Sequence, residues 1–300
     1  MREDKRRKDS FRQKKLLAAQ AKPTATEAGE LNALVIGIGP GLCSVDIEGR
    51  IRHVRCEIPV VPGDEVSVMN GAVSGIAPRR TVLTRTDPVN ARHERVIAAN
   101  VTRMVIVAAI TNPPLRTGLI DRYMIAAARA GIQPILCVNK IDLSTDTSAV
   151  EGYDIPIMRC STKTGQGIDE LRDWLAGNLA VLTGHSGVGK SSLLNSLTEK
   201  DQAHVGAVSE ETGKGRHTTT ASRLYHLKNG ARIIDTPGIR EFGLGPVTLD
   251  ELKAAFPEFG GEQCRFNNCT HKEEPDCAIR EAGGPRYQAW LRLLELQSND

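Results

Sequence analysis

Three observations in this 300-residue chain predict a multidomain α/β architecture. Short alternating apolar runs broken by turns fill residues 33–86, strand–loop–helix units fill the middle, and three cysteines with a histidine crowd into residues 264–277. The expected division is a basic tail over 1–32, a small β-barrel over 33–86, an α/β domain over 87–245 and a cysteine-bearing module with a terminal helix over 246–300.

The first 22 residues carry nine Lys/Arg against three Asp/Glu in a chain whose formal charge is +3, so the basic character lies in the tail. That segment is too polar to fold alone, though residues 11–21 could form a helix against a partner. Two readings stand for it, an arm that neutralises RNA phosphates and an ordinary solvated tail. No apolar run approaches the roughly 18 residues that span a bilayer, and the N-terminus lacks the apolar centre of a signal peptide. A cytoplasmic protein without membrane attachment is expected. Cys43, Cys56, Cys137 and Cys160 are scattered while the other three cysteines cluster, which suits a metal site in a reducing compartment better than a disulfide framework.

Leu34–Ile36, Cys43–Ile47, Ile51–Val54, Glu65–Val68 and Gly71–Ile76 read as five short strands, with Glu48-Gly49-Arg50 and Pro62-Gly63-Asp64 as turns between them. This spacing predicts an OB-type barrel. No Phe, Trp or Tyr occurs from 12 to 122, so the barrel lacks platforms on which bases could stack. If it touches RNA, it does so through backbone and shape and through Arg50, Arg52, Arg55, Arg79, Arg80 and Arg85; otherwise it packs only against its neighbour. The stretch from Asp87 to Asn100 reads as a linker.

Val101–Ile110 and Pro134–Val138 are strand candidates around an amphipathic helix at Leu119–Ala130. The second strand ends in Asn139-Lys140-Ile141-Asp142. A carboxylate at the last position accepts from the ring N1–H and exocyclic amine of guanine, a donor pair adenine lacks, while the Lys stem lies along the base. The next strand, Ile155–Cys160, runs into Ser161-Thr162-Lys163-Thr164, which resembles a second base loop whose backbone N–H meets guanine O6, ahead of a helix at Ile168–Leu175.

A short strand at Leu179–Leu182 then leads into Thr183-Gly184-His185-Ser186-Gly187-Val188-Gly189-Lys190-Ser191-Ser192, which contains the full phosphate-loop pattern from Gly184 to Ser191, followed by a helix. Glycines let several N–H groups face one anion at a helix N-terminus, Lys190 reaches the β- and γ-phosphates, and the Ser191 hydroxyl holds Mg²⁺. Two base loops and a phosphate loop together indicate GTP. The polar stretch Val205–Thr220 suits a mobile first switch, with Thr218 or Thr219 meeting Mg²⁺. Asn229-Gly230 marks a hairpin between Ser222–Leu227 and Ala231–Ile234. The second of these strands ends in Asp235-Thr236-Pro237-Gly238, a second switch in which Asp235 holds Mg²⁺ through water and the Gly238 N–H senses the γ-phosphate.

Cys264-x₄-Cys269-x-His271-x₅-Cys277 has the Cys₃His composition of a closed, structural zinc site. Pro285 opens a terminal helix with Tyr287, Trp290, Leu291 and Leu294 on one stripe, read as packing surface.

The base loops precede the phosphate loop here, the reverse of the ordinary order, so the α/β domain is a circularly permuted P-loop GTPase domain. A parallel sheet still brings the strand ends together whatever the chain order. The barrel, the permuted domain and the Cys₃His module in this order closely resemble the ribosome small subunit-dependent GTPase A family over roughly residues 33–295. The resemblance implies a bacterial GTPase that binds the small ribosomal subunit and its rRNA in late maturation and leaves on subunit-stimulated hydrolysis of GTP to GDP; a monomer is expected. It also points to His217 as the residue that positions water. Where Ras-like enzymes place a water-orienting Gln after Asp-x-x-Gly, this chain has Ile239, whose side chain cannot polarise water, so slow intrinsic turnover is expected. A second reading is a GTP-gated RNA- or protein-binding scaffold with incidental hydrolysis; stimulation by ribosomal subunits separates the two.

Overall fold

The chain is described by a computed structural model over residues 30–86, 94–199, 205–206, 223–235, 245, 247–260, 264–266 and 268–295. The basic tail up to residue 29, the first switch with His217, Thr218 and Thr219, and Gly238 and Ile239 of the second lie outside these residues.

Five strands, β1 (Ala33–Gly39), β2 (Leu42–Ile47), β3 (Arg50–Arg55), β4 (Glu65–Met69) and β5 (Ala72–Ile76), close into a barrel in the order β1-β2-β3-β5-β4. Its interior is filled by Val35, Cys43, Val45, Val54, Val60, Val66 and Val73, mostly β-branched residues that pack well on a pleated surface. The Pro62-Gly63-Asp64 turn fixes how the barrel meets the rest of the chain. Gly63 has φ +91°, and a Cβ there would sit 1.9 Å from the Ala99 carbonyl oxygen, so only glycine permits the approach. Asn100 Nδ2 then donates to the Gly63 carbonyl at 2.9 Å.

The expected linker is half strand. β6 (Val82–Thr86) pairs antiparallel with β7 (Glu94–Ala99), and Leu83 and Ala98 enter the main core. Arg85 therefore belongs to this hairpin and not to the closed barrel. The strand was hidden because its partner lay in the stretch assigned to the barrel, and pairing rather than local propensity defines it.

The central sheet has the order β10-β9-β8-β11-β14-β13-β12, formed by β8 (Arg103–Ala109), β9 (Gln133–Asn139), β10 (Ile157–Arg159), β11 (Leu179–Thr183), β12 (Val205–Gly206), β13 (Arg223–His226) and β14 (Arg232–Asp235). The first five strands in this order run parallel; β13 and β12 are antiparallel additions. Period-two alternation sends Met104, Ile106 and Ala108 to one core and Val105, Val107 and Ala109 to the other. Helix α1 (Thr117–Ala130) covers the first face, while α2 (Ile168–Leu175) and α3 (Lys190–Glu199) cover the second. Both faces are dry, which is why these strands read as continuous apolar runs. Strand order reverses between β8 and β11, the switch point at which open α/β sheets place their ligands.

Helix α4 (Leu249–Ala255) lies in a stretch where no element is expected from the residue pattern. It starts at a capping box in which Thr248 Oγ1 accepts from Glu251 N–H at 3.2 Å and Thr248 N–H donates to Glu251 Oε2 at 2.9 Å. After α5 (Ala278–Ala282), the terminal helix α6 (Gly284–Glu295) buries Tyr287, Ala289, Trp290 and Leu293. Leu291 and Leu294 of the expected stripe pack at the margin, because the buried face is turned toward Ala289 and Leu293.

Candidate nucleotide site and metal centre

The loop from Gly184 to Gly189 follows β11 and enters α3, so strand and helix hold it from both ends. Two of its glycines are demanded by contact. A Cβ on Gly184 would lie 2.2 Å from the Val107 carbonyl oxygen, and one on Gly189 would lie 2.3 Å from Asn139 Nδ2. Lys190 Nζ donates to the Gly184 and His185 carbonyls at 2.7 Å each, which folds the ammonium back over the loop. The loop, Lys190, Ser191 and Ser192 line a cleft of about 640 Å³, with Leu119 and Tyr123 of α1 on its far wall. This geometry presents backbone N–H groups, an ammonium and hydroxyls to one space, an arrangement suited to phosphate and its magnesium.

Asn139, fully buried at the carboxyl end of β9, ties three loops together. Its Nδ2 donates to the Val188 carbonyl at 2.9 Å, and its Oδ1 accepts from Thr162 N–H at 3.4 Å. Lys140, in the left-handed region at φ 65°, donates its ammonium to the Asn112 carbonyl and to the Gly187 carbonyl at 2.9 Å. Asp142 accepts from Ser161 Oγ at 2.7 Å, and Lys163 Nζ stands 3.9 Å from its other oxygen. Ser161 also accepts from Thr164 N–H at 3.2 Å, so this hydroxyl fixes the carboxylate to the second base loop. Asp235 ends β14, whose Ile234 pairs with Val181 of β11, which sets it beside the strand that feeds the phosphate loop. Beneath the base loops the Cys137 thiol is pushed up by its hydrogen bond with Cys160 and by complete burial, which leaves it neutral core.

At the other end, the ligand atoms of Cys264, Cys269, His271 and Cys277 all lie within 4.8 Å of one another. Cys264 Sγ is 3.8 Å from Cys277 Sγ, and His271 Nδ1 is 3.5 and 3.4 Å from these two sulfurs. A tetrahedron with Zn–S of about 2.3 Å and Zn–N of about 2.0–2.1 Å has edges of roughly 3.8 and 3.5 Å, so the cluster fits a metal of that kind. Burial and then the Lys253 charge hold His271 below its ordinary value, which keeps the imidazole neutral. Burial raises the Cys264 thiol, but hydrogen bonds from the Ile279 backbone and from the neighbouring thiols outweigh it and favour the thiolate. Around the cluster, Tyr287 Oη donates to the His271 carbonyl at 3.0 Å and Trp290 Nε1 to the Thr270 carbonyl at 2.8 Å. These contacts from α6 fix the loop that carries the histidine.

A family model described as RsgA GTPase matches residues 76–245. The chain belongs to the RsgA GTPase family. Among curated relatives, the small ribosomal subunit biogenesis GTPase RsgA of Pseudomonas aeruginosa is 45% identical over 249 residues, covering 77% of this chain and 72% of that protein. The crystal structure of YjeQ from Thermotoga maritima is similar at a TM-score of 0.69 and 26% identity, over 90% of this chain and 99% of that one. The structure of YloQ, a circularly permuted GTPase, has a TM-score of 0.66 at 24% identity, over 92% and 98% of the two chains, and shares the fold. As an RsgA-family member the chain is a GTP hydrolase, and its sheet order is the permuted one.

Within this RsgA-family fold, β9, β10 and β11 bring together Asn139, Lys140, Asp142, Ser161, Thr162, Lys163 and the loop from Gly184 to Ser192. Sequence reasoning missed the segment after β8: Asn112 braces Lys140, and Arg116 bonds to His185. Its signal was its place, at the carboxyl end of a strand beside the crossover. Two arginines offered as RNA contacts are instead committed to carboxylates. Arg79 grips fully buried Asp64 at 2.7 and 2.8 Å, and Arg80 grips Glu65 at 2.5 and 3.1 Å. Arg50, Arg52 and Arg55 of β3 are exposed.

Proposed function

We propose that this GTPase serves biogenesis of the small ribosomal subunit in the cytoplasm, binding the subunit and its rRNA as a monomer and leaving when the subunit stimulates GTP hydrolysis. The name of the Pseudomonas aeruginosa relative supports the process, and the clasp of Asn139 on the Val188 carbonyl and the Thr162 N–H supports GTP as the nucleotide. In this reading Asp142 selects guanine, with Asn139, Lys140, Ser161, Thr162 and Lys163 shaping the base pocket. The loop from Gly184 to Gly189, with Lys190 and Ser192, cradles the phosphates; Ser191, one of Thr218 and Thr219, and Asp235 hold Mg²⁺. Gly238 senses the γ-phosphate, and His217 positions the attacking water. One zinc ion sits on Cys264, Cys269, His271 and Cys277 with no open position, so it supplies structure and no catalysis.

The decisive experiment is steady-state hydrolysis alone and with purified small subunits, large subunits and whole ribosomes. Strong acceleration confined to the small subunit is expected, lost in His217→Ala with GTP binding kept. Equal rates under all conditions would leave a GTP-gated scaffold as the better reading. Metal analysis of the purified protein should find one zinc per chain, and a metal-free folded module would remove the zinc assignment.

A further inference from the structure

We propose that Arg116 is a cation supplied in cis to the γ-phosphate during hydrolysis, stationed beside the phosphate loop by His185. Arg116 is the residue before α1, in the segment that follows β8. Its Nη1 stands 3.1 Å from His185 Nε2, and His185 Nδ1 stands 2.7 Å from the Ser186 carbonyl oxygen. Nδ1 faces an acceptor and so carries the proton; Nε2 then has a lone pair for the guanidinium. The imidazole acts as a strut between the arginine and the backbone of the phosphate loop.

The charge around Arg116 is what assigns it an anion. It forms no ion pair with a carboxylate of the described residues, and the first turn of α1 contains no acidic residue. A guanidinium at the positive end of a 14-residue helix is repelled by the helix field unless an anion lies nearby. Among the described residues, Lys140 and Lys190 also turn their ammonium groups onto carbonyls of the phosphate loop, so Arg116 adds a further positive charge beside that loop. Arg116 lines a small pocket of about 20 Å³ that shares Leu119, Tyr123, Gly184 and His185 with the phosphate cleft. Phosphate oxygens supply the missing charge. In hydrolysis the water oxygen bonds to the γ-phosphorus while the bond to the β–γ bridging oxygen breaks, its electron pair leaving on GDP and the water's proton leaving with the inorganic phosphate. Arg116 donates hydrogen bonds to the oxygens on which charge accumulates and gives up no proton. This is stabilisation that the apolar side chain of Ile239 cannot supply.

The inference rests on the reading of Gly184–Ser191 as the phosphate cradle, and the test separates the two. Single-turnover hydrolysis at saturating GTP, GDP affinity and affinity for GDP–aluminium fluoride are measured for Arg116→Ala, Arg116→Lys, His185→Ala and Lys190→Ala. Arg116→Ala is expected to lower the rate about tenfold or more and to lose affinity for the transition-state analogue in step, with GDP affinity within about twofold. Arg116→Lys should recover part of the rate, His185→Ala should fall between, and guanidinium ion added to Arg116→Ala should restore turnover. An unchanged rate in Arg116→Ala, or an equal loss of GDP affinity, overturns the proposal. GTP binding retained by Lys190→Ala would instead overturn the phosphate-loop reading itself.

Discussion

Asn139 shows how one side chain sets the spacing of a site. Its amide fills the space that a Cβ on Gly189 would need, so the glycine and the asparagine fit only as a pair. Removing the amide strands the buried Val188 carbonyl, which costs about 1–3 kcal/mol, unties the two base loops at Thr162, and leaves Lys140 on the Gly187 carbonyl to hold the phosphate loop. Asn139→Ala is therefore expected to lose GTP affinity by more than tenfold while the melting temperature falls by only a few degrees; calorimetric titration beside a thermal melt checks both. Glu274 does similar local work in the zinc loop. Although burial opposes it, hydrogen bonds from Thr270 and the backbone of Lys272 bring its carboxyl from 4.5 down to about 2. The folded value is the lower one, so this stabilisation is complete above about pH 4.5 and disappears as pH falls toward 2. Wild type should melt above Glu274→Gln at neutral pH, and the gap should close across that window. A gap that persists at pH 2 would show that the charge is not what the loop uses.

Among the elements, the contact between α1 and α6 carries the most consequence. Arg286 of α6 lies 3.9 Å from the Tyr153 ring centre and 4.0 Å from that of Phe256, donates to Glu258 at 2.6 Å, and pairs with Asp121 of α1. Asp121 is 1% exposed; burial raises its carboxyl, and Arg286 pulls it back. Arg286→Ala would leave that carboxylate buried without its counter-charge and take the cation from between two rings, at a cost of about 3–5 kcal/mol by urea denaturation. A loss below about 1 kcal/mol would mean that the module does not lean on α1. The helices were legible to different degrees for physical reasons. α2 announces itself through Ile168, Leu171 and Leu175 at helical spacing. α4 buries only Leu252 and Ala255, too little for periodicity to reveal, although its Thr248-x-x-Glu251 box was there to be read. β7 depends on β6 for its identity, and no local pattern records which strand a chain will find.

For the whole molecule, the permuted sheet followed from the order of three loops, since each loop needs a strand end and all must meet at one ligand. How the barrel sits on that sheet did not follow, because it depends on contacts far apart in sequence. One is the Gly63–Ala99 approach; another is His226 of β13, whose Nε2 lies 2.9 Å from Asp46 Oδ2 of β2. Asp46 is 8% exposed, and its other carboxylate oxygen has no hydrogen-bond partner. The two ends of this pair are therefore unequal. His226→Ala abandons a buried carboxylate, whereas Asp46→Ala removes the group that was costly to bury. The first variant should melt lower than the second; the reverse ranking in paired thermal melts would refute the inter-domain role assigned to His226.

The place of β8 also fixes a sequence of events during synthesis. It pairs with β9 on one side and with β11 on the other, and β11 begins only at Leu179. A nascent chain can complete β8, β9 and β10 with both base loops while the far edge of β8 still offers unpaired N–H and carbonyl groups. GTP gives no protection in that interval, since a ligand stabilises only the state that binds it and Lys190 has yet to emerge. A ribosome that pauses before residue 179 thus holds out a bare hydrophobic strand, and a chaperone that shields it has its work finished by the arrival of one buried, mostly apolar strand, Leu179–Thr183.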